Sequence, residues 1–248
     1  MALRVIQISD PHLYANKDAV LYGMNTYQSL LDVISSIQSS ERELDFVVVT
    51  GDLVHDETKA GYQRLVTCLE RFNLPCYVIP GNHDDPNIMR SEFSEGLVKW
   101  ESRVCTKHWQ CLFLNSHVAG EVAGVVDEQE YQQLESYLAN NVMPTVIFLH
   151  HPPLAVGSAW LDKIALKNSH RLLSIVSKYS HIKIVANGHI HQSFEYVDDN
   201  DVHFYGTPST CMQFKPHCKS FELDNAMPGW RVFEFHQDGS FQSHIERL

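Results

Sequence analysis

Carboxylates, imidazoles and one carboxamide recur in this sequence directly after apolar runs. They fall in five short segments: Asp10-Pro11-His12, Gly51-Asp52, Gly81-Asn82-His83-Asp84, His150-His151 and Gly188-His189-Ile190-His191. These are the donor types that hold hard-to-borderline divalent cations. Two such cations about 3.5–4 Å apart can clamp the attacking and the leaving oxygen of a phosphoryl group, and would acidify a shared water into a hydroxide nucleophile near neutral pH. A carboxylate offers two oxygens and a full negative charge, so Asp52 is the candidate to bridge the pair. With Asp10 and Asp52 as the charged ligands, the loaded site would carry about +2 and would attract an anionic phosphodiester. In His189-Ile190-His191 the imidazoles lie two residues apart and would project to one side of an extended backbone, where they could reach one metal each. Asp84, next to His83, is placed to accept a hydrogen bond from that imidazole and keep it protonated, which suits His83 to leaving-group protonation or charge stabilisation.

Strand ends are the elements that could bring these groups together. Leu3 to Ile8 reads as a buried strand that delivers Asp10 and His12 at its carboxyl end, where open α/β sheets bind their ligands. Phe46 to Thr50, Cys76 to Ile79, Val146 to Leu149 and Ile182 to Ala186 repeat the device for the other four segments. Between them the pattern predicts helices after Asn25-Thr26, over about Glu57 to Phe72, from Asp85-Pro86, over Asp127 to Leu138 and over Ser169 to Lys178. Val104 to Asn115 reads as two strands with a turn at Trp109-Gln110, and short antiparallel strands are expected at Phe194 to Val197, Val202 to Tyr205, Trp230 to Phe235 and Phe241 to Ile245. Pro152-Pro153 starts a loop over Leu154 to Lys163 that could wall the site. The glycines before Asp52, Asn82 and His189 would permit tight turns and close approach.

Each segment alone has an ordinary explanation. A Gly-Asp pair after a strand is usually a turn, Asp10-Pro11-His12 could be a cap and a turn, and an isolated histidine is more often structural than a ligand. Five ordered segments together are much harder to explain that way. His151 remains open between a supporting and a structural role, and Trp160 and Phe214 could stack on a base or belong to the core. His55 and the other histidines outside the five segments default to surface or core roles.

A chain of 248 residues, 44% hydrophobic and 20% charged, fits one soluble α/β domain, and the candidate ligands run from residue 10 to residue 191, so a boundary within that span would split the site. The domain is expected to cover 1–248, with the strands from about 193 to 248 completing a second sheet. No apolar run reaches the roughly 18 residues of a membrane span, and the first residues enter a strand pattern too soon for a signal peptide, so the expected compartment is the cytoplasm. The six cysteines form no CxxC pair and are expected to be reduced. A net charge of −11 argues against a nucleic-acid polymer as partner. The terminal strands could pair between chains, which leaves a homodimer open.

The ordered set D-x-H, GD, GNHD, H and GHxH, running from Asp10 to His191, resembles the signature of the calcineurin-like metallophosphoesterases. The resemblance implies a four-layer αββα sandwich of two mixed β-sheets flanked by helices. It also implies Asp10, His12 and His191 on one metal, Asn82, His150 and His189 on the other, and Asp52 bridging. His83 would be the catalytic histidine, with Asn82 and Asp84 beside it, and the phosphate would lie against His12, Asp52, Asn82, His83 and His191. Ser9 to Leu13 with Leu21-Tyr22-Gly23, His150 to Leu154 with Gly157 to Asp162, and Gly206 to Cys211 through Pro228-Gly229-Trp230 are similar to the class III cyclic-nucleotide phosphodiesterases, particularly the bacterial 3′,5′-cyclic AMP enzymes. The expected activity is therefore hydrolysis of 3′,5′-cyclic AMP, a small-molecule cyclic nucleotide, to 5′-AMP. The alternatives are a broad phosphodiesterase or nucleotide phosphatase, and a metal-containing interaction scaffold without turnover. Mixed oxygen and nitrogen ligation suits iron and manganese as the two divalent or trivalent ions, with zinc, cobalt and nickel also compatible.

Overall fold

The computed structural model describes residues 2–40 and 43–248. In chain order the elements are β1 (Leu3–Ile8), β2 (Val20–Leu21), β3 (Met24–Asn25), α1 (Thr26–Ser39), β4 (Phe46–Thr50), α2 (Lys59–Leu69), β5 (Cys76–Ile79), α3 (Pro86–Glu92), β6 (Val98–Lys99), β7 (Arg103–Cys105) and β8 (Gln110–Phe113). They continue with α4 (Glu128–Ala139), β9 (Thr145–Leu149), α5 (Ser169–Lys178), β10 (Ile182–Asn187), β11 (Phe194–Val197), β12 (His203–Gly206), β13 (Gln213–Phe214), β14 (Leu223–Asp224), β15 (Gly229–Phe235) and β16 (Phe241–Arg247). The helices begin where side chains can satisfy their free amides. Asn25, Thr58, Asp85 and Asp127 each accept a hydrogen bond from the first turn, and Pro86 follows Asp85 at a position that needs no amide donor.

The strands form two mixed sheets, ordered β16-β15-β1-β4-β5-β6 and β11-β12-β10-β9-β8-β7. β1, β4, β5 and β6 run parallel, as do β8, β9, β10 and β12, and antiparallel strands complete the ends. The period of two along each strand divides its side chains between layers. Val47 and Val49 of β4 face a cluster with Leu30, Ile34 and Leu65 of α1 and α2, while Phe46 and Val48 face the other sheet. Ile147 and Leu149 of β9 pack with Leu134 and Leu172 of α4 and α5, whereas Val146 and Phe148 meet Val5, Val48 and Phe233 between the sheets. The result is the four-layer αββα sandwich.

Two expectations are corrected here. Of the strands after residue 193, only β11 and β12 extend the second sheet; β15 and β16 join the first, where β15 pairs antiparallel with β1. The alternation Trp230, Val232 outward and Phe233, Phe235 inward suits either sheet, so only the pairing partner decides. The turn between β7 and β8 lies at Thr106 to Trp109, where Thr106 Oγ1 accepts the Trp109 amide, and Gln110 already belongs to β8. All six cysteines are free thiols, and no helix among the described residues is long and apolar enough to cross a membrane.

Candidate metal centre

β1, β4 and β5 are neighbours in one sheet and β9 and β10 in the other, and all five end on the same side of the sandwich. Asp10 and His12, Asp52, and Asn82 follow the first three; His150 follows β9, and His189 and His191 follow β10. Hydrogen bonds join these ends. The amides of Asp10 and His12 donate to the carbonyls of Gly51 and Asp52 at 3.1 and 2.9 Å, and the Gly188 amide donates to the His150 carbonyl at 3.1 Å. Between the sheets, the His189 amide donates to the Asp10 carboxylate at 3.0 Å, Gln7 Nε2 donates to the Asn187 carbonyl at 3.2 Å, and the Thr50 carbonyl accepts from His150 Nδ1 at 2.7 Å.

The backbone around the ligands is unusual. Asp10, His12, Asp52, His189 and His191 all have positive φ, between 45° and 68°, a region L-residues with side chains seldom occupy. His189 and His191 are thus not on extended backbone as expected, and their rings diverge. His189 Nδ1 faces His150 Nε2 at 3.2 Å, and His191 Nε2 faces Asp10 Oδ1 at 3.3 Å. Gly51 has φ +87°, and a Cβ there would lie 2.4 Å from His150 Nδ1. At Gly188, whose φ is ordinary, the need is space, because a Cβ would meet Ser9 Oγ at 2.0 Å.

Asp52 lies in the middle. Its Oδ2 is 3.6 Å from His12 Nε2 and its Oδ1 is 3.3 Å from His150 Nε2, so one carboxylate turns an oxygen to each half of the site. On one side Asp10, His12 and His191 bring donor atoms within 4.8 Å of one another. On the other, His150 Nε2 lies 3.2 Å from both Asn82 Oδ1 and His189 Nδ1. The remaining nitrogens orient the rings: His191 Nδ1 donates to the Met212 carbonyl at 2.9 Å as His150 Nδ1 does to the Thr50 carbonyl, which turns both Nε2 atoms inward.

This arrangement fits cations. His12 Nε2 and His191 Nε2 face each other at 3.2 Å, as do His150 Nε2 and His189 Nδ1, and a facing pair can share at most one proton. Asp10 and Asp52 are buried, and the adjoining cavity is lined by no lysine or arginine among the described residues. Burial works against their charge, yet the surrounding imidazoles, His191 for Asp10 and His150 for Asp52, hold both carboxyls below their usual range. Burial likewise opposes charge on His150, but Asp52 beside it carries that imidazole up to about 9. The His150 imidazolium thus brings positive charge of the kind that metal ions would supply between the carboxylates.

Asp84 departs from expectation. Its carboxylate accepts the amides of Gly81, Leu53 and Val54 at 2.8 to 3.1 Å and the Tyr62 hydroxyl at 3.0 Å, instead of the His83 imidazole. Those amides point inward from two tight turns and need an acceptor. Asp84 therefore fixes the loops carrying Asp52 and Asn82, although burial and the charge of Asp52 push its carboxyl up to about 7. The His83 amide donates to Asp52 Oδ1 at 2.9 Å, and its ring stacks on His55 at 4.5 Å. His55, assigned no site role from sequence, has Nδ1 3.1 Å from His12 Nδ1. Its place three residues after Asp52 was the only available signal. His151 is buried beside His150 and His189, with both ring nitrogens engaged, by Ser116 Oγ at 2.8 Å and the Val122 carbonyl at 3.1 Å. A cavity of about 360 Å³ opens over Asp52, Asn82, His83 and His191, and Trp160 and Phe214 line it.

The chain matches the calcineurin-like phosphoesterase family model over residues 3–193. It is 40% identical over 248 residues to the 3′,5′-cyclic adenosine monophosphate phosphodiesterase CpdA of Escherichia coli, covering 99% of this chain and 90% of that protein. It is 36% identical over 251 residues to a 3′,5′-cyclic-nucleotide phosphodiesterase of Nostoc, covering 100% and 93%. Among solved structures, a dimetal phosphatase from Danio rerio superposes with a TM-score of 0.69 at 13% identity, covering 94% of this chain and 95% of that one. With the clustered carboxylates and imidazoles at the strand ends, the two-sheet architecture and this family match in agreement, the chain belongs to the calcineurin-like metallophosphoesterases.

Proposed function

We propose that this hydrolase converts 3′,5′-cyclic AMP to 5′-AMP, acting in the cytoplasm as one unit over residues 1–248 with two metal ions, iron or manganese. The observation that carries the reading is Asp52, whose two oxygens turn towards His12 on one side and His150 on the other. Asp10, His12 and His191 would hold one ion, Asn82, His150 and His189 the second, with Asp52 shared. Bound there, the ions would supply Lewis acidity and a water acidified towards neutral pH.

The protein's own groups do the rest. His83 and Asn82 line the cavity beside Asp52, where they meet the phosphoryl oxygens and stabilise charge that grows as phosphorus becomes five-coordinate. Opening the ring to 5′-AMP breaks the bond between phosphorus and the 3′ oxygen, and that oxygen needs a proton; the His83 imidazole is placed to donate it. Asp84 acts on the reaction only through the loops it holds. The cyclic AMP and cyclic-nucleotide phosphodiesterases of Escherichia coli and Nostoc to which the chain is similar support the same substrate class.

Chromatography of products from metal-reconstituted protein and 3′,5′-cyclic AMP, with Asp52→Ala as control, tests the reading. Appearance of 5′-AMP with the unsubstituted protein alone is expected. Cleavage of 2′,3′-cyclic nucleotides or a phosphomonoester with none of cyclic AMP would replace it with a broader phosphoesterase.

A further inference from the structure

The ring nitrogens that turn away from the candidate centre are not held alike. Nδ1 of His150 and Nδ1 of His191 each donate to a main-chain carbonyl, which no side-chain substitution would remove, and His189 Nε2 has no partner among the described residues. His12 differs from all three. Its Nδ1 meets a side chain, with His55 Nδ1 at 3.1 Å. Two ring nitrogens that face each other can share one proton, so one must donate and the other accept. When His12 gives Nε2 to a cation its proton sits on Nδ1, which makes His55 Nδ1 the acceptor and places the His55 proton on Nε2.

The same ring has a second neighbour. His83 stacks on His55 with centroids 4.5 Å apart and planes 24° apart, while His12 meets His83 edge-on at 5.2 Å. Among the described residues the His83 ring thus rests against other rings, and offset aromatic faces favour one mutual orientation. Tyr14 lies against His55 at 5.1 Å. The main chain sets His55 at this junction. Its amide donates to the Leu13 carbonyl at 2.7 Å, the Leu13 amide donates to the Leu53 carbonyl at 3.1 Å, and the Asp56 carboxylate accepts the Ala15 amide at 2.9 Å. The segment after Asp52 is laced in this way to the segment after Asp10.

Resting on the two-metal reading above, we propose that His55 is a positioning residue for two other histidines: its Nδ1 fixes the His12 ring for a cation, and its face fixes the His83 ring for the leaving oxygen. Metal binding and leaving-group protonation then share one support that carries neither task itself.

Two substitutions separate the contacts. An asparagine carboxamide oxygen stands near the position of Nδ1, so His55→Asn keeps an acceptor for His12 and removes the ring against His83. His55→Phe keeps a ring for His83 and removes the acceptor. Manganese affinity is read by chelator competition against the metal-loaded proteins. Turnover is read at saturating manganese on 3′,5′-cyclic AMP and on bis(4-nitrophenyl) phosphate, whose leaving group needs no proton. His55→Phe should lower manganese affinity by about 10–100-fold and leave kcat unchanged once metal is saturating. His55→Asn should keep manganese affinity and lower kcat on cyclic AMP by about 3–10-fold, with KM and the rate on bis(4-nitrophenyl) phosphate unchanged. A merely structural residue would lose both properties together in both variants, and that result, or no loss in either, overturns the proposal. If the unsubstituted protein cleaves bis(4-nitrophenyl) phosphate and no cyclic AMP, the proposed reaction falls. The support of His12 is then still decided by manganese affinity: a loss in His55→Phe upholds it, and no loss overturns it.

Discussion

Five of the seven proposed ligands sit in left-handed backbone, a conformation that costs about 1–3 kcal/mol per residue and persists only where neighbours enforce it. Here the enforcement comes from main-chain bonds such as Asp10 to Gly51 and His12 to Asp52. Asp52→Asn keeps the shape but removes the charge that faces both halves of the site. Metal analysis of that variant should find fewer than two ions per chain, and retention of both would end the bridging assignment. His83 contributes its amide to Asp52 and its ring to the cavity. His83→Ala spares the amide, so metal content should hold while kcat falls by about 10²–10⁴-fold. His55 was not legible in the sequence, since only the folded loop sets its ring against His83 and its Nδ1 against His12. Asp84 misled for a related reason: its acceptors' partners are backbone amides, which every residue has, so nothing in residue type announces them.

At the level of elements, the strands that carry the candidate ligands were readable because each is a short, mostly apolar run followed by polar groups, as in Phe46 to Asp52 and Val146 to His150. The placement of β15 was not readable, because its alternation fits either sheet and only the antiparallel pairing of Leu3 with Phe235 through Gln7 with Arg231 decides it. The two sheets come into close contact at Gly188, just after β10, which lies against Ser9 and Thr50. Gly188→Ala would force the strand ends apart. Metal affinity should drop by at least about tenfold, as when the support of a ligand is lost, while far-ultraviolet circular dichroism keeps its sheet signal. A variant with undiminished affinity would show that the ends can separate without disturbing the centre.

For the molecule as a whole, Arg231 is a second link between the sheets. It is buried on β15, donates to Glu195 at 3.0 Å and to the Gly206 carbonyl at 3.2 Å, and lies over the Tyr205 ring at 4.3 Å. Arg231→Ala should destabilise the fold by about 2–4 kcal/mol in urea denaturation, from lost packing and lost hydrogen bonds together. Metal ions would bind only the folded arrangement, because the proposed ligands extend from residue 10 to residue 191. At a hundredfold excess over its dissociation constant a metal adds about 2.7 kcal/mol, so chelation should lower the melting midpoint by about 5–10 °C in a calorimetric scan. The division of the ligands between two sheets has another effect. Val48, Phe148 and Phe233 fill the gap between the layers, so the interior of the sandwich would act as a spacer for the proposed centre at its rim. Substitutions there, far from the cavity, are expected to alter the spacing of the candidate centre as well as the stability of the fold.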